Sequence, residues 1–254
     1  MERSFFTHHP ERPYQLNHYI NQEQFLSEKQ YFRLRMGRAL EWLTGVNPIV
    51  PVRYYKEKSI YYDPIAVELK KGIYLDGYWQ SPKYFEGIEE VLRKELIYKR
   101  TLSHAACLTL EQIQTKHSVG LHIRRGDYLL PSFNAVHPVL PASYYQQAIE
   151  VLAHQFKDLH FFVFSDDPAW VQAHIKLSYP VSYIDNSQNA LEDFELLRAC
   201  KHNVIANSTF SWWAAWLNTY PQKQVIAPKL WIKTDTNATR DLIPLSWKLL
   251  EATP

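Results

Sequence analysis

From residue 118 onward, short apolar runs alternate with amphipathic stretches. The runs at 119–123, 160–164, 181–184, 203–206 and 224–227 have the length and apolar character of buried strands. The stretches between them read as helices. Residues 143–156 place Tyr145, Ile149, Leu152 and Phe156 on one face, and Pro168 opens another helix at a first-turn position that suits proline. Further helices are expected at 190–200 and 209–218. Repeated strand–helix alternation at short spacing predicts a parallel sheet covered by helices on both faces, an α/β fold.

The first 115 residues are less regular and rich in tyrosine and charge. A strand is expected at 12–20. A helix is expected at 23–43, with Arg33, Arg35 and Arg38 on its solvated side. A second helix is expected at 82–98, around Ile88, Val91, Leu92, Glu95 and Leu96, and a third at 101–116.

Polar residues cluster where the predicted strands end. The first strand runs into His122, Arg124, Arg125, Gly126, Asp127 and Tyr128. The second runs into Ser165, Asp166 and Asp167, the third into Asp185 and Asn186, and the fourth into Asn207, Ser208, Thr209 and Ser211. All strands of a parallel sheet point the same way, and ligands of such sheets bind outside the carboxyl ends. Four polar clusters therefore converge on one crevice. Two adjacent arginines offer planar donor forks for phosphate oxygens. Ser208 and Thr209 open a helix whose first N–H groups are free to bind an anion. A nucleotide diphosphate suits both features, with Asp166 or Asp167 positioned to accept from a base or ribose. Each cluster also has a plain structural alternative: a turn closed by an Arg124–Asp127 pair, and N-capping by Asp166 or Asp167. Trp212, Trp213 and Trp216 fit a core as well as a sugar platform.

Composition narrows the field. The chain has 254 residues, 46% hydrophobic and 15% aromatic, with a net charge of +2. That charge gives no basis for a nucleic-acid partner. Two cysteines, Cys107 and Cys200, make no disulfide framework. The N-terminus lacks the pattern of a signal peptide, and no apolar run approaches the ~20 residues of a membrane span. The expectation is a cytoplasmic protein, with peripheral association with the inner face of the membrane left open. Neither dinucleotide nor P-loop glycine strings occur, and the histidines show no metal-ligand spacing. Adjacent Asp166 and Asp167 are not a D-x-D clamp, so no metal is expected.

The string HIRRGDY resembles the H-x-R-R-G-D motif of the α-1,2-fucosyltransferases, glycosyltransferase family 11. The resemblance extends through YLDGYWQSPKYFEGIEEVLRKEL (74–96), FFVFSDDPAWV (161–171), DFELLRACKHNVIANSTFSWWAAWLN (193–218) and DLIPLSWKLL (241–250). It covers residues 74–250 well and 10–30 weakly. It implies a GT-B fold of two Rossmann-like domains: an acceptor-side domain over 1–115 and a GDP-fucose-binding domain over 116–254. It implies inverting transfer from GDP-fucose, a co-substrate, to a galactose-terminated glycan, without a cofactor. It places His122, Arg124, Arg125, Asp166, Asp193, Asn207, Ser208 and Thr209 on the donor, with Arg124 at its phosphates. Asp127 and His137 are alternative candidates for the general base. The family's opening strand and glycine-rich G-x-G-N-Q loop have no counterpart in this sequence, so the first domain is expected to be incomplete.

Overall fold

The computed structural model describes residues 14–21, 53–70, 72–184 and 189–252, with isolated positions between 27 and 43. The chain divides into two compact units, Met1–Arg100 and Thr101–Pro254.

In the first unit, β1 (Arg53–Lys56) and β2 (Ile73–Asp76) pair in parallel, Arg53 opposite Ile73 and Lys56 opposite Asp76. The short helix α1 (Pro64–Glu68) lies between them in sequence. Asp63 caps it by accepting from the Ile65 N–H, and Pro64 takes the first turn, where no amide is needed. The strand expected at 12–20 is not formed by its described part. Leu16–His18 is a 3₁₀ turn, and Tyr19 makes one antiparallel bridge to Tyr98. The Asn21 amide donates to the Leu16 carbonyl at 2.6 Å, a side-chain bond that closes the turn in place of a ladder. The helix expected at 23–43 falls largely outside the described residues. The one expected at 82–98 is two pieces, a 3₁₀ turn at Pro82–Phe85 and α2 (Glu89–Glu95). Gly87 separates them at φ 84, a left-handed backbone that ends the first piece.

The second unit begins with α3 (His104–Thr115), so the division falls before this helix and not at the expected residue 115. Its packing explains why: Ala106 and Ile113 are fully buried with Phe162, Leu196 and Leu197. Ser103 caps it through the Ala106 N–H, and the Glu192 carboxylate accepts from both the backbone N–H and the hydroxyl of Ser103 at 2.8 Å.

The remaining elements are β3 (His117–Ile123), α4 (Pro131–Asn134), α5 (Ala142–Gln155), β4 (Leu159–Ser165), α6 (Pro168–His174), β5 (Val181–Ile184) and α7 (Ala190–Ala199). After these come β6 (His202–Val204), α8 (Thr209–Leu217), β7 (Val225–Pro228), α9 (Thr239–Leu242) and β8 (Lys248–Leu250). The six strands pair in parallel in the order β5-β4-β3-β6-β7-β8. Renumbered from β3, this is 3-2-1-4-5-6, the doubly wound order of nucleotide-binding sheets. The expected α/β class and Rossmann-like sheet are present. β8 extends the sheet beyond the run at 224–227; three residues, Lys248, Leu249 and Leu250, carry too little pattern to announce a strand.

Side chains alternate between the two faces with period two. Val119, Leu121 and Ile123 of β3 and Phe161 and Val163 of β4 bury against Tyr145, Ile149 and Leu152 of α5. Phe162 and Phe164 of β4 bury on the opposite face with α7 and with Ala214 of α8. Gly120 lets α7 approach β3 closely: a Cβ there would lie 2.6 Å from Leu197 Cδ1. Trp212 and Trp216 are buried, and the Trp212 indole donates to the Leu242 carbonyl at 3.0 Å and packs on Trp247. They are core residues. No described helix is long and apolar enough to cross a membrane.

Candidate functional site

β3 and β6 are neighbours whose following helices lie on opposite faces: α5 packs in one core and α8 in the other. A crevice opens where such chains diverge, outside the carboxyl ends of the two strands. His122 and Ile123 end one wall, and Asn207, Ser208 and the start of α8 end the other.

Arg124 stands at the centre. Its Nη2 is 2.8 Å from Asp127 Oδ1, and its Nη1 is 2.9 Å from Asp166 Oδ2. Burial works against the charged guanidinium, but the hydrogen bond it donates to Asp127 and the charge of Asp166 outweigh it and raise its pKa. Asp166 also accepts from the Arg125 backbone N–H at 2.8 Å, which fixes the loop. Gly126 permits this approach, since a Cβ there would lie 2.7 Å from Asp166 Oδ2. Arg125 turns away from Arg124. Its Nε donates to Asp167 at 3.1 Å, and its guanidinium lies 3.8 Å from the Trp170 ring centroid. Asp167 in turn accepts from the Trp170 N–H and caps α6. Both structural alternatives are therefore realised: Arg124 pairs with Asp127, and Asp167 is an N-cap. Asp166 is not a cap; it holds the arginine loop.

His122 is buried. Burial, with the Arg124 charge nearby, pushes its imidazole down to about 3, so it is neutral at physiological pH. Its ring packs on Phe210 in the first turn of α8 at 5.3 Å, while Nδ1 has no hydrogen-bond partner. The residue joins the two walls of the crevice. Asn207 is 1% exposed and ties loops together: its amide donates to the carbonyls of Pro138 at 3.0 Å and Trp231 at 3.3 Å. Its Oδ1 remains without a partner. Ser208 is the N-cap residue of α8, yet its side chain makes no cap bond. Thr209 is exposed beside it, and the first turn holds no acidic residue. The helix thus presents its first N–H groups to the crevice without an internal anion. Asp193 is in the first turn of α7, half-buried, and next to Phe194, whose ring meets Phe210. Asp185 and Asn186 lie outside the described residues.

Sequence reasoning gave Trp170 and Tyr145 no part in the site and placed Tyr128 there without a role. The Tyr128 hydroxyl donates to the Asn207 carbonyl at 2.9 Å, bridging the walls, and its ring stacks on His137 at 5.1 Å. Trp170 supplies the face beneath Arg125. Tyr145 is buried in the core helix beside the Arg124 backbone, and burial raises its phenol far above the usual range. Tyr128 lies inside the HIRRGDY string and was findable there; Trp170 and Tyr145 carry only core-like patterns. His137 is half-buried, and burial lowers its pKa against the opposing influence of the Trp231 backbone and Asp127. Among the described residues no cluster of three or more His, Cys, Asp or Glu is placed to hold a metal ion.

A doubly wound sheet with an arginine fork and an uncapped helix N-terminus at the ends of adjacent strands has the arrangement in which such sheets bind phosphorylated nucleotides. The family model "Glycosyl transferase family 11" matches residues 41–250, and the chain belongs to that family; it is a glycosyltransferase. It is 33% identical over 201 residues to an alpha-1,2-colitosyltransferase of Escherichia coli, covering 77% of this chain and 68% of that one. It is 40% identical over 122 residues to the O-antigen biosynthesis glycosyltransferase WbnK of Escherichia coli, covering 46% and 40% of the two chains. A galactoside alpha-(1,2)-fucosyltransferase 1 of Mus musculus is 32% identical over 154 residues, 56% of this chain and 41% of that one. The family implies a nucleotide-sugar donor and a glycan acceptor.

Proposed function

We propose that this chain transfers L-fucose from GDP-fucose to the 2-hydroxyl of a terminal galactose, inverting the anomeric centre. The observation that supports a diphosphate donor is that the Arg124 fork follows β3 and the uncapped N-terminus of α8 follows the neighbouring strand β6, so both stand at the carboxyl ends of adjacent strands. The family and the printed names of its alpha-1,2-fucosyltransferase relatives support this choice of linkage and sugar. In the reaction the acceptor oxygen attacks the anomeric carbon and the bond from that carbon to the β-phosphate oxygen breaks. GDP leaves with one more negative charge, and the hydroxyl proton passes to a base. Arg124 and the α8 N–H groups face that growing charge, an electrostatic contribution worth roughly 10²–10³ in rate per donor. Asp127 and His137 both border the crevice and are the candidate bases.

The long match to the colitosyltransferase supports one other donor, since colitose is L-fucose without its 3-hydroxyl. Turnover of labelled GDP-fucose and of GDP-colitose, each with a panel of galactosides and with chelator present, separates the readings. Product from GDP-fucose with β-galactosides in chelator supports the proposal. Product from GDP-colitose alone reassigns the sugar, dependence on added Mg²⁺ or Mn²⁺ overturns the metal-free reading, and nucleotide binding without product marks a binder.

A further inference from the structure

Tyr128 makes contacts that the donor reading leaves unused. It lies in a 3₁₀ turn, Asp127–Leu129, directly after the two arginines. The backbone closes this turn: the Leu129 N–H donates to the Arg125 carbonyl at 3.0 Å, and the Leu130 N–H donates to the Asp127 carbonyl at 3.0 Å. The Arg124 guanidinium lies 5.8 Å from the centroid of the Tyr128 ring. The His137 ring stacks on it at 5.1 Å, with the two planes 14° apart. The Tyr128 hydroxyl donates to the Asn207 carbonyl at 2.9 Å.

Asn207 is a fixed post. It is buried, and its amide is tied to the carbonyls of Pro138 and Trp231. Its own carbonyl belongs to the peptide that leads into Ser208, the N-cap residue of α8. The Ser208 N–H of that peptide donates to the Ala206 carbonyl at 2.8 Å, and the Ser208 carbonyl accepts from the Trp212 N–H at 3.0 Å, the first bond of the helix. The Tyr128 hydroxyl is therefore fastened to the peptide from which α8 starts. A tyrosine side chain has two torsions and a rigid ring. It links the turn after the arginines to the start of α8 by a strut that cannot be compressed.

We propose that Tyr128 is a positioning residue for the donor: it sets the separation between the Arg124 fork and the N-terminus of α8, so that both engage one diphosphate. The proposal rests on the donor reading above, and two nucleotides separate the two. GDP and GMP share the base, the ribose and the first phosphate, and only GDP carries a second phosphate with which to engage both anchors. Two linked contacts gain from a fixed spacing, and a single contact does not. Calorimetry on the full chain measures both nucleotides in the parent, Tyr128→Phe, Arg124→Ala and the double variant, with a denaturant midpoint for each. Tyr128→Phe keeps the ring and removes the hydroxyl. One neutral hydrogen bond holds the spacing by no more than its own net worth, up to about tenfold in affinity. The preference for GDP over GMP therefore falls by about three- to tenfold in Tyr128→Phe, with GMP affinity changed by less than about twofold. In the Arg124→Ala background the same substitution leaves the preference within about twofold, because one anchor is already gone. A fall of less than about threefold in Tyr128→Phe, whatever the denaturant midpoint does, makes the hydroxyl merely structural and overturns the strut while leaving the donor reading intact. An equal fall in both backgrounds also overturns it, since the hydroxyl then touches the nucleotide itself. So does a parent that binds GMP as tightly as GDP. A parent that binds neither nucleotide removes the donor reading and the strut with it.

Discussion

Removing the Arg124 side chain unbalances the crevice in a calculable way. Around that position two guanidinium groups, Arg124 and Arg125, face three carboxylates, Asp127, Asp166 and Asp167. Arg125 is already committed to Asp167 and to the Trp170 ring. In Arg124→Ala, Asp127 and Asp166 therefore lose their common partner, and a diphosphate meets two carboxylates without the intervening cation. Unit charges ~5 Å apart at an effective dielectric of ~20 interact by about 3 kcal/mol, before salt screening. The partial exposure of all three side chains reduces this, and a GDP affinity loss of about 2–3 kcal/mol, near 10²-fold, is expected. The double variant Arg124→Ala/Asp127→Asn removes one repelling charge and recovers part of that loss. Calorimetry with GDP at low and high salt measures both, the recovery being larger at low salt. Parent-like GDP binding by Arg124→Ala takes Arg124 out of the donor site. A double variant no better than the single one refutes the electrostatic account while leaving Arg124 a direct contact.

Trp212→Ala removes a buried ring from the contact with Trp247 and leaves the Leu242 carbonyl without its donor, so a loss of about 3–5 kcal/mol is expected in chemical denaturation. A change under about 1 kcal/mol would show that the tryptophan cluster is not core. His202 supplies a pH dependence. Burial, with His117 and Lys201 nearby, pushes its imidazole down to about 4, against about 6.5 for the unfolded chain. Its stabilising contribution is therefore complete above pH ~6.5 and is lost as pH falls toward 4, at up to about 1.4 kcal/mol per pH unit. Denaturant midpoints between pH 7.5 and 5 show this slope, and it flattens in His202→Gln; an identical slope in that variant rules His202 out as its source.

The second unit was legible because its central strands β3, β4, β6 and β7 are buried and read as largely apolar runs, with most of their polar residues at the ends. Five of six strands follow from that rule, and the crevice follows from their common direction. β8 was not legible, since its three residues gain strand character only from the edge of β7. The first unit was less legible because its elements are short and its order comes from side chains rather than from pattern. Tyr19 pairs with Tyr98, and Glu57 holds the Tyr78–Trp79 turn across more than twenty residues. Nothing local in Tyr19 or Glu57 announces those roles. At the site, residue types pointed to phosphate chemistry, yet they did not separate ligand contacts from supports. Asn207 and Asp167 look like ligand contacts in sequence and serve as a loop bracket and a helix cap.

That division explains the excess of carboxylates in a crevice meant for an anion. An arginine fork placed in a loop has several rotatable bonds and loses much freedom on binding phosphate. Asp166 reduces that loss by gripping both the Arg124 side chain and the Arg125 backbone, so the fork is held before the donor arrives. Asp127 occupies the remaining edge of the guanidinium, the edge a phosphate would take. Under the proposed function, donor binding would exchange one anion for another at Arg124 and free the displaced carboxylate at the moment a base is needed for the acceptor hydroxyl. On this reasoning Asp127→Asn, which keeps the shape and removes the charge, binds GDP at least as tightly as the parent but turns over at least tenfold more slowly. Weaker GDP binding with an unchanged rate per bound donor would place Asp127 among the supports and leave His137 as the base.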